Sequence, residues 1–135
     1  MRLTLLALAS FVSLAAQAVA QTHTAAPGVE VAPVESGFAV LSDGGLGARG
    51  YWCGAADYAR DILGARGNAR IYVASPRPAG LGQRSPVVFT LDPAGLTPRA
   101  ATILGATLSQ PGSNLSVGHA YGFCADFRLI TNGDI

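Results

Sequence analysis

Residues 51–64, from Tyr51 to Gly64, constrain the fold more than any other part of the chain. They hold the only Trp, two of the four Tyr and one of the two Cys. Trp52, Ala55, Ala56, Ala59, Ile62 and Leu63 recur at spacings of three and four, which predicts a helix over about 52–64 with one apolar stripe. Gly64 supplies a residue free to take positive φ and stop it. Asp57, Arg60 and Asp61 fall mostly off the stripe, so they are expected on a solvated face. Cys53 lies inside this helix, and Cys124, near the other end of the chain, is the other cysteine.

Whether those cysteines pair depends on the compartment, and residues 1–20 speak to that. Arg2 is followed by a run from Leu3 to Ala16 that is apolar except for Thr4, Ser10 and Ser13, and Ala18-Val19-Ala20 is a small-residue cleavage pattern. This is the form of a secretory signal peptide cut before Gln21. The run is interrupted and shorter than the roughly 20 residues a membrane span requires, so no stable membrane insertion is expected after cleavage. The position after the cut holds no Cys to carry a lipid. The mature protein is therefore expected in the periplasm or outside the cell, where a disulfide between Cys53 and Cys124 is the default. Closing a loop of that size stabilises a fold by about 4 kcal/mol through chain entropy.

About 115 residues remain after residue 20, the size of one domain. Without Arg2, eight Arg stand against eight acidic residues, and the chain has no Lys. A balanced charge excludes nucleic acid as an expected partner, because such binders gain from releasing counterions with a basic excess. The Arg residues are scattered, so no anion-binding patch is predicted.

Residues 21–27 lack periodicity and are expected to form a flexible tail. Val29, Val31 and Val34 alternate around Pro33, which suits an edge strand rather than a central one. Strands are also predicted at 38–41, 70–75 and 87–91, with further strands at 100–108 and, around Cys124, at 121–130. Residues 76–86 carry three Pro and two Gly and must form a connection. Gln110 to Asn114 is read as a turn, and Ser116 as an alternative start for a short helix. This order predicts an α+β domain, an antiparallel sheet of four or five strands with one helix packed on it, with a small all-β barrel carrying one helix as the alternative.

Four patterns bear on chemistry. Gly45-Leu46-Gly47-Ala48-Arg49-Gly50 matches the glycine spacing of dinucleotide-binding turns. It lacks an acidic residue some twenty positions on and the further β-α units, so it is read as a connector and no cofactor is predicted. His119 is the only His within 28–135, and with Ser113, Ser116 and Asp126 it forms the weak candidate for hydrolytic chemistry. Asn114-Leu115-Ser116 is a glycosylation acceptor pattern. After cleavage, His23 would be the third residue, where an amine, two amides and an imidazole can surround Cu(II) or Ni(II), making His23 the weak metal candidate. The functional expectation is a small, disulfide-stapled exported domain with a non-enzymatic binding or structural role, its partner an unidentified protein or small ligand met through its loops, notably 76–86. The alternative is a small hydrolase centred on His119.

Overall fold

The computed structural model describes residues 21–25, 28–80 and 82–126, which form one α+β unit. The signal-peptide reading of residues 1–20 lies outside these described residues. In chain order the elements are β1 (His23–Ala25), β2 (Val29–Val34), β3 (Gly37–Val40), α1 (Ala48–Asp61), β4 (Arg70–Ser75), β5 (Val87–Thr90), β6 (Arg99–Ala100), α2 (Leu104–Thr107), β7 (Ser113–Ser116) and α3 (Val117–Gly122). The strands make one sheet in the order β1-β2-β3-β5-β4-β7-β6. All neighbours are antiparallel except β6 and β7, so the sheet is mixed and has more strands than the sequence predicts. It does not close: β1 and β6 remain as edges, and the barrel alternative does not apply.

Period-two alternation places Val29, Val31, Phe38, Val40, Ile71, Val73, Val87 and Phe89 on one face of the sheet, where all are buried. α1 lies on that face. Its apolar stripe is wider than the spacing implied, because every residue from Gly50 to Ala59 is buried. One side meets the strands, and α3 packs on the other, tied through the Cys53–Cys124 disulfide. Both sulfur-bearing residues are buried, as suits a structural crosslink rather than an exchangeable one. The small residues make this enclosure possible. A Cβ on Gly50 would collide with the Asp43 backbone, and one on Gly54 with Val29, so α1 can approach both neighbours only without those side chains.

The helix begins earlier than its stripe, at Ala48, and ends at Asp61, with Ile62 as its C-cap. Gly64 takes φ 68, and the Ala65 amide turns back to the Ala59 carbonyl at 2.8 Å. Ile62 and Leu63, expected on the buried stripe, are about half exposed beyond the last helical turn. Asp57, expected in water, is buried.

Four sequence expectations fail for identifiable reasons. His23–Ala25, placed in the tail, is a strand paired with Val29–Val31. Residues 100–108 become a short β6 followed by α2, whose Thr107 meets Trp52 and whose C-cap Leu108 is buried. The turn read at 110–114 gives way at Ser113 to β7, which fills the space between β4 and β6. The strand expected over 121–130 is helical as far as it is described: α3 runs to Gly122 and Cys124 to Asp126 form another helical turn. The alternative start at Ser116 is realised, since its Oγ accepts from the His119 amide as the N-cap of α3. Pro33 sits in β2 beyond the reach of β1, so its missing N–H leaves no rung of that pair unmade.

Candidate functional site

The residues proposed for hydrolysis are separated by the work each does in the fold. His119 is exposed, and its ring rests 5.6 Å from that of Phe123. Ser116 caps α3 with its hydroxyl. Asp126 pairs with Arg49 at 2.9 Å instead of orienting the imidazole. Ser113 is fully buried, and its Oγ is the one buried side-chain polar atom without a partner among the described residues. The four do not converge on a common point.

The glycine turn before α1 is likewise occupied by its own chain. Asp43 Oδ1 accepts from the Gly45 amide at 2.8 Å, and the Asp43 carbonyl accepts from Leu46. Gly47 reaches the N-cap conformation at φ 61, and Gly50 presses on Asp43. The spacing that resembles a phosphate cradle here serves a close helix–turn contact. Asn114 of the acceptor pattern is buried in β7; its amide donates to the Arg99 and Gly112 carbonyls, and its oxygen accepts from Arg70 Nε at 2.8 Å. Attachment of a glycan there would require breaking that set.

The connection 76–86 is also anchored. The Arg77 amide donates to Leu108, its guanidinium donates to the Gln83 carbonyl at 2.7 Å and stands 5.0 Å from the Tyr51 ring centroid, and the Tyr51 hydroxyl donates to the Ser85 carbonyl.

The concave surface lies elsewhere, at the C-terminal end of α1. There the tight Glu35-Ser36 turn between β2 and β3 meets the end of β5. A groove of about 380 Å³ has Phe38 and Tyr58 as its floor, and Pro33, Val34, Leu63 and Leu91 as its apolar walls. A second depression of about 440 Å³ joins it across Glu35, Gly37, Thr90 and Asp92 and continues past Ala74 to Leu96. Gly37 is required at this junction, because a Cβ there would enter the Phe89 carbonyl. On the other side of Tyr58 a smaller recess of about 210 Å³ is bounded by Gln21, Thr22, His23 and Ile62.

Two features set the chemistry of this surface. Glu35 and Asp92 stand on the rim of both larger depressions, no basic side chain lines either, and neither carboxylate has an ion-pair partner among the described residues. Asp92 Oδ1 accepts from the Ala94 amide at 2.9 Å, which holds the carboxylate in place and leaves its other oxygen open. Tyr58 is only 5% exposed and its ring packs 4.9 Å from Phe38, and its hydroxyl has no hydrogen-bond partner among the described residues. Tyr58 lines both the groove and the smaller recess and so separates them.

Beside Tyr58, His23 Nε2 and Asp57 Oδ2 are 2.8 Å apart, with side-chain exposures of 23% and 11%. This pair fastens the short strand β1 to α1. Arg60, one turn further along the helix, stacks 4.0 Å over the Tyr121 ring, and its hydrogen bond to Asp61 raises its pKa, so it remains a cation. None of the groove residues carries a sequence signature: Val34, Leu63, Leu91 and the two acids come from three separate segments, and only the fold brings them together. No helix among the described residues is long and apolar enough to cross a membrane. No family model, curated protein or solved structure matches the chain.

Proposed function

We propose that this is an exported, disulfide-stapled binding domain whose ligand face is the groove between the Glu35-Ser36 turn, β5 and the end of α1. Its ligand class is an apolar group that carries a positive charge, such as the side chain and neighbours of a basic residue in a peptide, or an arylalkyl amine. The observation that carries this reading is the combination at one place of an open apolar floor with two carboxylates that have no cationic partner among the described residues. Apolar surface supplies most of the attraction, and the carboxylates select the sign of charge. The framework suits this role. The disulfide and the enclosed α1 hold the floor rigid, so little ordering free energy is lost on binding. Export agrees with the paired cysteines and with residues 1–20, and it places the domain where peptides and small amines are met outside the cytoplasm.

Calorimetric titration with 4-phenylbutylamine and with 4-phenylbutyrate tests the reading, since the two probes share an apolar arm and differ in charge. The expected preference for the amine is about tenfold at low salt, shrinking as salt is added. The Glu35→Gln, Asp92→Asn double variant keeps the Asp92 turn acceptor and is expected to bind both probes alike. Equal binding of the two probes by the unaltered protein, or no binding of either at millimolar concentration, contradicts the proposal.

A further inference from the structure

We propose that, once the chain is cut after Ala20, its N-terminus is a chelating site for Cu(II) or Ni(II) completed by His23 and braced by Asp57. The site rests on the export reading through that cleavage, and it is separate from the groove. Among the described residues no three of His, Cys, Asp and Glu cluster, so a cage of side chains is not on offer. A backbone chelate needs only one side chain. With Gln21 first, its free amine, the amides of Thr22 and His23, and the His23 imidazole supply four nitrogens, and a four-nitrogen plane is the arrangement that Cu(II) and Ni(II) favour.

The structure adds three things to that sequence pattern. First, in forming this chelate the imidazole closes the ring back onto its own amide through Nδ1. His23 uses Nε2 for Asp57, at 2.8 Å, and so leaves Nδ1 for the metal. A carboxylate that accepts the second ring N–H of a ligating His fixes its tautomer and raises its basicity, and Asp57 is placed to do both. Second, Gln21 and Thr22 are exposed and precede β1, so their backbone is not committed to the sheet. His23 pairs with Val31 at the open end of the β1–β2 ladder, where taking its amide disturbs at most the terminal pair. Third, Gln21, Thr22 and His23 line one recess together with Tyr58 and Ile62, so the chelating backbone already stands at a concave surface. Binding releases the amine proton and one proton from each of the two amides, so uptake is expected to strengthen as pH rises.

The test uses the exported, disulfide-intact protein. Its N-terminus is sequenced, and it is titrated with Cu(II) while the visible absorption and electron paramagnetic resonance of the metal are followed. Two variants are titrated beside it: His23→Ala, and a form that retains Ala20 in front of Gln21. The second keeps every side chain of the mature domain, including the His23–Asp57 pair, but moves His23 to the fourth position. The expected result is a chain beginning at Gln21 that binds one Cu(II) in a four-nitrogen site, with affinity reduced at least about a hundredfold in both variants. Asp57→Asn, with the site otherwise intact, is expected to bind about tenfold more weakly. Equal titrations for the mature and Ala20-retaining forms overturn the site while leaving export standing. An N-terminus other than Gln21, or a Gln21 amine lost to cyclisation, overturns the site at its premise, and a chain that keeps residues 1–20 overturns the export reading as well.

Discussion

Replacing Trp52 tests how the core is assembled, because its indole is fully buried between the sheet and α2 and meets both by specific contacts. Its ring stands edge-on to Phe89 at 5.0 Å, and Nε1 donates to Thr107 Oγ1 at 2.9 Å. Thr107 in turn donates to the Leu104 carbonyl, so its hydroxyl is held where the indole needs it. Trp52→Ala removes a large buried aromatic and leaves a cavity, which costs about 4 kcal/mol. That is a substantial part of the total stability of a domain of this size, about 5–15 kcal/mol. The hydrogen bond is separable from the packing by a double-mutant cycle. Thr107→Val keeps the shape but strands a buried indole N–H, at a cost of about 2 kcal/mol. Trp52→Phe trims the ring and removes the donor, at about 1.5 kcal/mol, and after that change Thr107→Val strands nothing on α1. The double variant is therefore expected to be less destabilised than the sum by about 1 kcal/mol. Urea unfolding followed by far-UV circular dichroism measures the unaltered protein and all four variants without relying on the lost fluorophore. A Trp52→Ala cost below about 1 kcal/mol, or an additive cycle, would refute this account of the core.

Four further outcomes follow from the disulfide and the His23–Asp57 pair. The Cys53→Ala, Cys124→Ala variant, which frees a loop with a sequence separation of 71, is expected to lose about 4 kcal/mol in the same urea assay. Mass spectrometry of non-reduced peptides from the unaltered protein should show the linked pair. Asp57→Ala, which a solvated position would make nearly neutral, is expected to cost about 2 kcal/mol because it leaves His23 without its partner and loosens β1 from α1. Hydrogen exchange at Thr24 and Ala25 in that variant should rise ahead of exchange in β3.

The parts of the fold legible from sequence were those governed by local pattern. Arg70 to Ser75 alternates and is bounded by turn residues, and it forms the predicted strand without change of boundary. The helix around Trp52 was visible in its stripe, but its enclosure was not. Asp57 reads as a surface residue until the position of His23, 34 residues away in sequence, is known. Apart from β1, the errors in placing strands fall in the C-terminal half, where long-range pairing overrides local preference. Ser113 and Asn114 have the composition of a turn, yet β4 offers them an open edge, and Asn114 satisfies three groups there. Ala100 to Leu108 has strand-like residues, but Thr107 is drawn under Trp52 and the segment bends into α2. The groove escaped sequence reading for a related reason. Its apolar walls are single residues at the ends of elements, and a residue at an element's end has no periodic context to mark it.

The binding claim is tested most directly by mapping where 4-phenylbutylamine touches the ¹⁵N-labelled domain. Amide shifts in a two-dimensional NMR titration should concentrate at Glu35, Gly37, Tyr58, Leu63, Leu91 and Asp92. They should saturate together with one dissociation constant, and be absent with 4-phenylbutyrate at the same concentration. Shifts centred instead on residues 76–86, or on α3 around His119, would contradict the account and return the binding face to the loop or the helix that the sequence first brought forward.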